Sequence, residues 1–105
     1  MAYVANYAAE APERASVDAM SGAVLLEFGA NWCGHCQGAQ PAIAAALRAH
    51  PALPLLKIED GPGRRLGRSF RVKLWPTLIL MRNGQEVGRV VRPASMQEIA
   101  ELLAG

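Results

Sequence analysis

Two cysteines separated by two residues constrain the fold of this chain more than any other feature. Cys33 and Cys36 are the only cysteines in 105 residues. The apolar run at positions 23–28 before them has the composition of a buried strand, and the Ala-rich run at 37–50 after them has that of a helix. A Cys-x-x-Cys motif between a strand and a helix predicts thiol redox chemistry within an α/β fold.

The position of the motif at a helix start predicts a different role for each sulfur. Backbone N–H groups in the first turn of a helix lack intrahelical partners and carry a partial positive charge. Such a site stabilises a thiolate, which is the nucleophile in disulfide exchange. We therefore expect Cys33 to be the attacking thiol and Cys36, one turn further on, to be the resolving thiol.

Other uses of the two cysteines fit the sequence less well. A structural zinc site needs four ligands, and beyond Cys33 and Cys36 the chain offers only His35 and His50, at no familiar spacing. Covalent haem attachment requires a histidine directly after the second cysteine, where this chain has Gln37. A disulfide across two residues closes a tiny loop and adds little stability. We expect no metal and no cofactor.

Composition indicates one globular domain over residues 1–105, with 51% apolar and 19% charged residues. The net charge of +2 is too small to indicate nucleic-acid or membrane binding, and no apolar run reaches the length of a bilayer span. The first ten residues contain no Lys or Arg, unlike a secretory signal, so we expect a cytoplasmic protein. The basic run at 64–73 is interpreted as a solvated helix face or as a docking surface for an acidic partner.

The periodicity and turn signals predict a β-α-β-α-β-α-β-β-α order, which suits a central mixed sheet of four to five strands with helices on both faces. The predicted strands cover residues 1–6, 23–28 and 54–58, and a hairpin of 77–81 and 86–91 turns at Asn83-Gly84. The first three predicted helices cover 11–20, with Pro12 in the first turn, a segment from 34 that ends before Pro51, and 64–70. A last helix begins at a Ser95–Glu98 capping box.

The stretch around the cysteines resembles the active site of the thioredoxin superfamily, and the match extends from about Val17 to the C-terminus. The residues that carry it are Glu27-Phe28, Trp32, Pro41, Lys57, Trp75-Pro76-Thr77 and Asn83-Gly84. The Cys-Gly-His-Cys sequence itself is similar to that of protein disulfide isomerase. The resemblance implies a thioredoxin fold, a monomer that reduces protein disulfides, and a flavoprotein thioredoxin reductase, fed by NADPH, that restores the dithiol.

The resemblance also implies roles for three residues near the cysteines. Glu27 stands where the family usually has a buried Asp that takes the proton of the resolving thiol; a strand-end Glu that faces solvent is the alternative. Lys57 matches a lysine beside that acid, or it is an exposed strand lysine. His35, if protonated, would favour the thiolate at position 33 and make the disulfide a stronger oxidant than that of thioredoxin. Alternatively, it is a solvated histidine without an electrostatic role.

The predicted substrate-binding residues are Trp32, Gly34, Trp75, Pro76 and Arg92. Pro76 matches the family's cis-proline, whose turn leaves the backbone of the preceding residue free to pair with an extended peptide.

Three departures from the family bear on partners: Gly29 replaces an aromatic residue, Trp75 replaces a small or β-branched one, and Arg92-Pro93 replaces a glycine. Trp75 and Arg92 favour a second hypothesis, a binding or assembly-chaperone module with incidental thiols. A disulfide oxidase or isomerase is a further alternative.

Overall fold

A four-stranded sheet organises the computed structural model, which describes residues 3–105. The strands and helices alternate along most of the chain. In chain order they are α1 (Arg14–Asp18), β1 (Ala23–Gly29), α2 (Gly34–Leu47), β2 (Leu55–Glu59), α3 (Arg65–Ser69), β3 (Thr77–Arg82), β4 (Gln85–Val91) and α4 (Met96–Leu103). No helix within residues 3–105 is long and apolar enough to cross a membrane.

The sheet is mixed, with the spatial order β2-β1-β3-β4. β1 pairs in parallel with β2 and antiparallel with β3, and β3 pairs antiparallel with β4. Strand β1 therefore lies inside the sheet, as its almost continuous burial requires. The predicted mixed sheet is confirmed, and its Glu27 lies directly beside Lys57 in the parallel register.

Helices cover both faces of the sheet, as predicted. Leu25 of β1 packs in a cluster with α2 and α4, and Leu26 and Phe28 pack in another with α1 and α3. Because side chains alternate across a strand, Glu27 points to the same face as Leu25, towards α2. The sheet thus directs this carboxyl to the helix that begins at the cysteine motif.

The hairpin and the last helix confirm two local predictions. Asn83 and Gly84 have φ angles of 52° and 76°, as a two-residue type I′ turn between β3 and β4 requires. Ser95 caps α4 by accepting a hydrogen bond from the Glu98 N–H at 3.4 Å. The reciprocal bond of a capping box is shifted by one residue, because Glu98 accepts from the N–H of Ala94.

The N-terminal segment differs from the prediction. The predicted first strand covers residues 1–6, of which 1 and 2 lie outside the described residues and 3–6 are not in a strand. A single parallel bridge joins Ala8 to Ile58, which is too little pairing for a fifth strand. Helix α1 begins at Arg14, later than predicted, so Pro12 precedes the helix and Glu13 occupies the N-cap position.

Candidate active site

Cys33 is the N-cap residue of α2, where the strand-to-helix turn places its sulfur over the first turn. Its backbone is extended, with φ −78° and ψ 122°, and its Sγ accepts a hydrogen bond from the Cys36 N–H at 3.3 Å. Both cysteines are free thiols. Cys33 retains 7% of its surface and Cys36 none, so only the first sulfur can meet an incoming disulfide.

A buried carboxyl is linked to Cys36 through Gln40, whose Nε2 donates to both Glu27 Oε2 and the Cys36 carbonyl. Glu27 is fully buried, and its Oε2 accepts hydrogen bonds from the Tyr7 hydroxyl and from Gln40 Nε2, the latter at 3.0 Å. Its Oε1 has no hydrogen-bond partner among the described residues. Burial raises the pKa of Glu27, while the Tyr7 hydrogen bond and the Lys57 charge lower it. The net upward shift brings the carboxyl towards the range in which it can exchange protons.

Lys57 reaches the same network from β2 and is buried rather than solvated. Its Nζ donates to Gln40 Oε1 at 2.6 Å and to the Ala5 carbonyl at 2.5 Å. It lies 3.9 Å from Glu27 Oε2, with both side chains almost wholly buried. Burial lowers the pKa of Lys57, against the opposing effect of Glu27. The Gln40 amide therefore links the ammonium to the carboxyl.

The resolving thiol must lose a proton before it can react. Burial, together with the smaller effect of the hydrogen bond with Cys33, raises the pKa of Cys36 to about 11. Hydrogen bonds with the Ala30 backbone and with Tyr7 act in the opposite direction. At neutral pH Cys36 is therefore a thiol, and its reaction needs a proton acceptor nearby.

A groove of about 270 Å³ runs beside the motif and brings four predicted residues together. Gly34 and His35, both exposed on the first turn of α2, line it together with Pro76 and Arg92. The Trp75–Pro76 peptide bond is cis. The groove is open to solvent directly next to the sulfur-bearing turn, as a site for an extended peptide would be.

Two indole rings flank the motif. Trp32 is 75% exposed, and its ring meets that of Trp75 edge to face at 5.6 Å. The Trp75 Nε1 donates to Asp60 Oδ2 at 2.9 Å. Asp60 fits against α3 only because Gly67 has no side chain, since a Cβ there would lie 2.1 Å from the carboxylate. The hydrogen bond to Asp60 thus fixes the orientation of the Trp75 ring.

The backbone carbonyl of Trp75 has a hydrogen-bond partner within the protein. Its carbonyl oxygen, expected to be free for a substrate, accepts a hydrogen bond from Arg92 Nε at 2.9 Å. The Arg92 N–H in turn donates to the Pro76 carbonyl at 2.9 Å, which holds the arginine over the proline loop. A peptide that pairs with this carbonyl must share the oxygen with the guanidinium or displace it.

Comparison with known proteins agrees with this geometry. The thioredoxin family model matches residues 7–105. The chain belongs to the thioredoxin family. It is 34% identical to a thioredoxin of Chlamydia muridarum over 84 residues, which cover 80% of this chain and 82% of that protein. With the Cys33–Cys36 pair in place, this thioredoxin-family protein is a thiol-disulfide oxidoreductase.

Solved thioredoxins share its fold. Thioredoxin 2 from Pseudomonas aeruginosa PAO1, in its reduced form, is 52% identical and superposes with a TM-score of 0.85, covering 95% of this chain and 97% of that one. Protein disulfide-isomerase A3 of Gallus gallus is 36% identical over 83 residues, but these cover only 16% of that longer protein. The thioredoxin fold predicted from the sequence is confirmed.

Three residues of this thioredoxin site were missed from the sequence: Tyr7, Gln40 and Asp60. Gln40 could have been found from the sequence, because it follows Cys36 by one helical turn and so lies on the same side of α2. In the structure it donates to the Cys36 carbonyl at 2.9 Å. Tyr7 and Asp60 lie in irregular segments without a motif. The only signal for Tyr7 was indirect: Gly29 lacks the aromatic ring that the family often has there.

Proposed function

We propose that this protein reduces protein disulfides, with Cys33 as the attacking thiol and Cys36 as the resolving thiol. The observation that carries the proposal is the contrast between the two sulfurs. Cys33 Sγ caps the helix start next to the groove-lining Gly34 and accepts a hydrogen bond from the Cys36 N–H, whereas Cys36 is fully buried. A nucleophile must be reachable, and of the two cysteines only Cys33 keeps exposed surface and accepts a hydrogen bond from an N–H of the first helical turn.

The reaction proceeds in two exchanges. The Cys33 thiolate attacks one sulfur of the substrate disulfide, forms a mixed disulfide and displaces the other substrate sulfur as a thiolate. Cys36 then gives its proton to the buried Glu27 carboxylate and attacks Cys33 Sγ. The Cys33–Cys36 disulfide forms, the mixed disulfide breaks, and the second substrate sulfur leaves. Two electrons pass from the protein dithiol to the substrate.

The surroundings of the groove supply binding. Trp32 and Trp75 offer apolar rings beside the reacting sulfur, and Gly34 and Pro76 leave room for an extended backbone. A protein disulfide is the expected substrate, and an NADPH-dependent flavoprotein thioredoxin reductase is the expected source of electrons for the return to the dithiol. Action as a monomer in the cytoplasm belongs to the same proposal.

Two specific observations favour other functions. His35 lies exposed beside Cys33, where a cation would stabilise the dithiol and favour disulfide oxidation or isomerisation. The Arg92 contact with the Trp75 carbonyl occupies part of the peptide site, which favours a binding or assembly module with incidental thiols. The reductase hypothesis accounts for the buried Glu27 network, which a binding module does not need.

Insulin reduction tests the proposal. With dithiothreitol as electron donor, the wild-type protein should accelerate precipitation of the insulin B chain, and Cys33→Ser should abolish the acceleration. An inactive wild type with intact thiols would favour the binding module. Activity in refolding a scrambled disulfide protein, without insulin reduction, would favour the isomerase.

A further inference from the structure

The phenol of Tyr7 occupies the space between the resolving cysteine and the buried acid. Tyr7 belongs to the N-terminal segment, and two contacts fix it: its N–H donates to Asn31 Oδ1 at 2.9 Å, and the next residue, Ala8, bridges to β2. Only 6% of Tyr7 is exposed. Its hydroxyl donates to Glu27 Oε2, and its side chain packs in one buried cluster with Cys36.

Gly29 makes this arrangement possible. A Cβ at position 29 would lie 2.6 Å from Cys36 Sγ and 2.7 Å from the Tyr7 hydroxyl oxygen, distances that real Cβ atoms do not show. The same missing side chain thus gives room to both groups. The ring of Tyr7, which arrives from a distant part of the chain, fills the space beside β1 that a larger residue at 29 would take.

A phenol can accept a proton at its oxygen while it donates its own. Burial and the Glu27 charge raise the pKa of Tyr7, so the hydroxyl keeps its proton at neutral pH and acts as the donor to the carboxylate. Lys57 Nζ lies 4.4 Å from the centre of the Tyr7 ring, so its ammonium group is close to the phenol. The groups are therefore in the order thiol, phenol, carboxylate.

We propose that Tyr7 relays the proton of Cys36 to Glu27 during resolution of the mixed disulfide. The proton of the Cys36 thiol passes to the Tyr7 oxygen as the Tyr7 proton passes to Glu27 Oε2. The phenol is unchanged at the end, Glu27 is neutral, and Cys36 is a thiolate that attacks Cys33 Sγ and releases the substrate sulfur. This inference rests on the proposed roles of the two cysteines and of Glu27.

An aromatic disulfide, 5,5′-dithiobis(2-nitrobenzoic acid), separates the two exchanges in a stopped-flow experiment. Attack by Cys33 releases one coloured thiolate, and resolution by Cys36 releases the second. Tyr7→Phe keeps the ring and removes the hydroxyl. We expect it to leave the first phase unchanged and to slow the second roughly a hundred-fold, the lower end of what a positioned acid–base group contributes.

The pH profile distinguishes a relay from a structural role. Without the phenol, resolution should depend on hydroxide and rise about ten-fold per pH unit, so that Tyr7→Phe approaches the wild type in alkaline solution. Tyr3→Phe is the matched control, because Tyr3 donates to Gln40 Oε1 at 2.8 Å and contributes no hydrogen bond to Glu27 or Cys36. An equal loss in Tyr3→Phe, or a slow second phase that does not recover with pH, would overturn the relay.

A second variant covers the case in which Tyr7→Phe does not fold, as judged by thermal unfolding. Gly29→Ala keeps both functional groups and forces them apart, so its second phase should also slow; an unchanged phase contradicts the relay. If the wild type releases no second thiolate, the proposed function itself fails. If Glu27→Gln slows resolution and Tyr7→Phe does not, only the relay is wrong.

Discussion

Lys57 Nζ and Glu27 Oε2 are 3.9 Å apart, and the Gln40 amide bonds to both of them. The two charged groups share a buried space without direct hydrogen bonding, so their attraction offsets only part of the cost of removing both from water. The pair is thus held in the fold at a cost in stability. A buried group that is easily neutralised is also one that can accept a proton.

The first prediction concerns Glu27 and stability. Because its folded pKa is raised, the native state binds more protons than the unfolded state between the ordinary value of 4.5 and the folded value. Stability is therefore lost as the pH rises through that window. Glu27→Gln should be more stable than wild type at pH 7, by about 1.4 kcal/mol for each unit of the shift. Urea unfolding from pH 4 to 8 measures the difference.

Glu86 provides the control of opposite sign. The Arg89 hydrogen bond lowers the pKa of Glu86, so its contribution is present above 4.5 and is lost as the pH falls through the lower folded value. Glu86→Gln should therefore weaken the fold slightly at pH 7. A Glu27→Gln variant that is less stable than wild type at every pH would contradict the prediction. It would show that the buried Lys57 ammonium needs the Glu27 carboxylate as its counter-charge.

The second prediction concerns thiol reactivity. In the reduced protein at pH 7, iodoacetamide should modify Cys33 and spare Cys36, because Cys36 is fully buried and its pKa is raised to about 11. Mass spectrometry of the peptides after brief alkylation gives the ratio directly. Unfolding in guanidinium chloride should remove the difference in alkylation between Cys33 and Cys36. Faster modification of Cys36 in the native protein would reverse the assigned roles.

The third prediction concerns Arg92, whose guanidinium occupies the Trp75 carbonyl. Arg92→Ala frees that acceptor for a substrate peptide. A hydrogen bond is worth about 1 kcal/mol net, so the KM for a protein disulfide should fall about five-fold. Arg82→Ala is the control, because Arg82 donates to the Gly105 carbonyl at the end of the chain. A higher KM in Arg92→Ala would show that the guanidinium itself binds substrate.

The fourth prediction concerns His35. In the proposed role, an imidazolium on the first turn of α2 would stabilise a thiolate at position 33, and so the reduced form. His35→Pro should lower the reduction potential by tens of millivolts, towards the thioredoxin value of about −270 mV. Titration against glutathione measures the potential. His50→Ala, which changes the other histidine beyond the far end of α2, should have no effect, and equal potentials in wild type and His35→Pro would show that His35 has no electrostatic role.

The sequence predicted what depends on local pattern. The run at 23–28 contains a strand because it is apolar, and the register of that strand with β2 brings Glu27 beside Lys57. The sequence could not show that residues 3–6 form no strand or that α1 begins only at Arg14, because short segments gain their structure from tertiary packing. Tyr7 was missed for the same reason: 20 residues separate it from Glu27, and no periodicity links them.

Trapping of the mixed disulfide tests the central claim, that Cys33 attacks and Cys36 resolves, most directly. Reduced Cys36→Ser is mixed with insulin, the products are separated without reductant, and the adduct is mapped by mass spectrometry. We predict a stable disulfide between Cys33 and an insulin cysteine in Cys36→Ser, none in Cys33→Ser, and only a transient adduct in the wild type. A stable adduct on Cys36 in Cys33→Ser, formed at the wild-type rate of attack, would contradict the account.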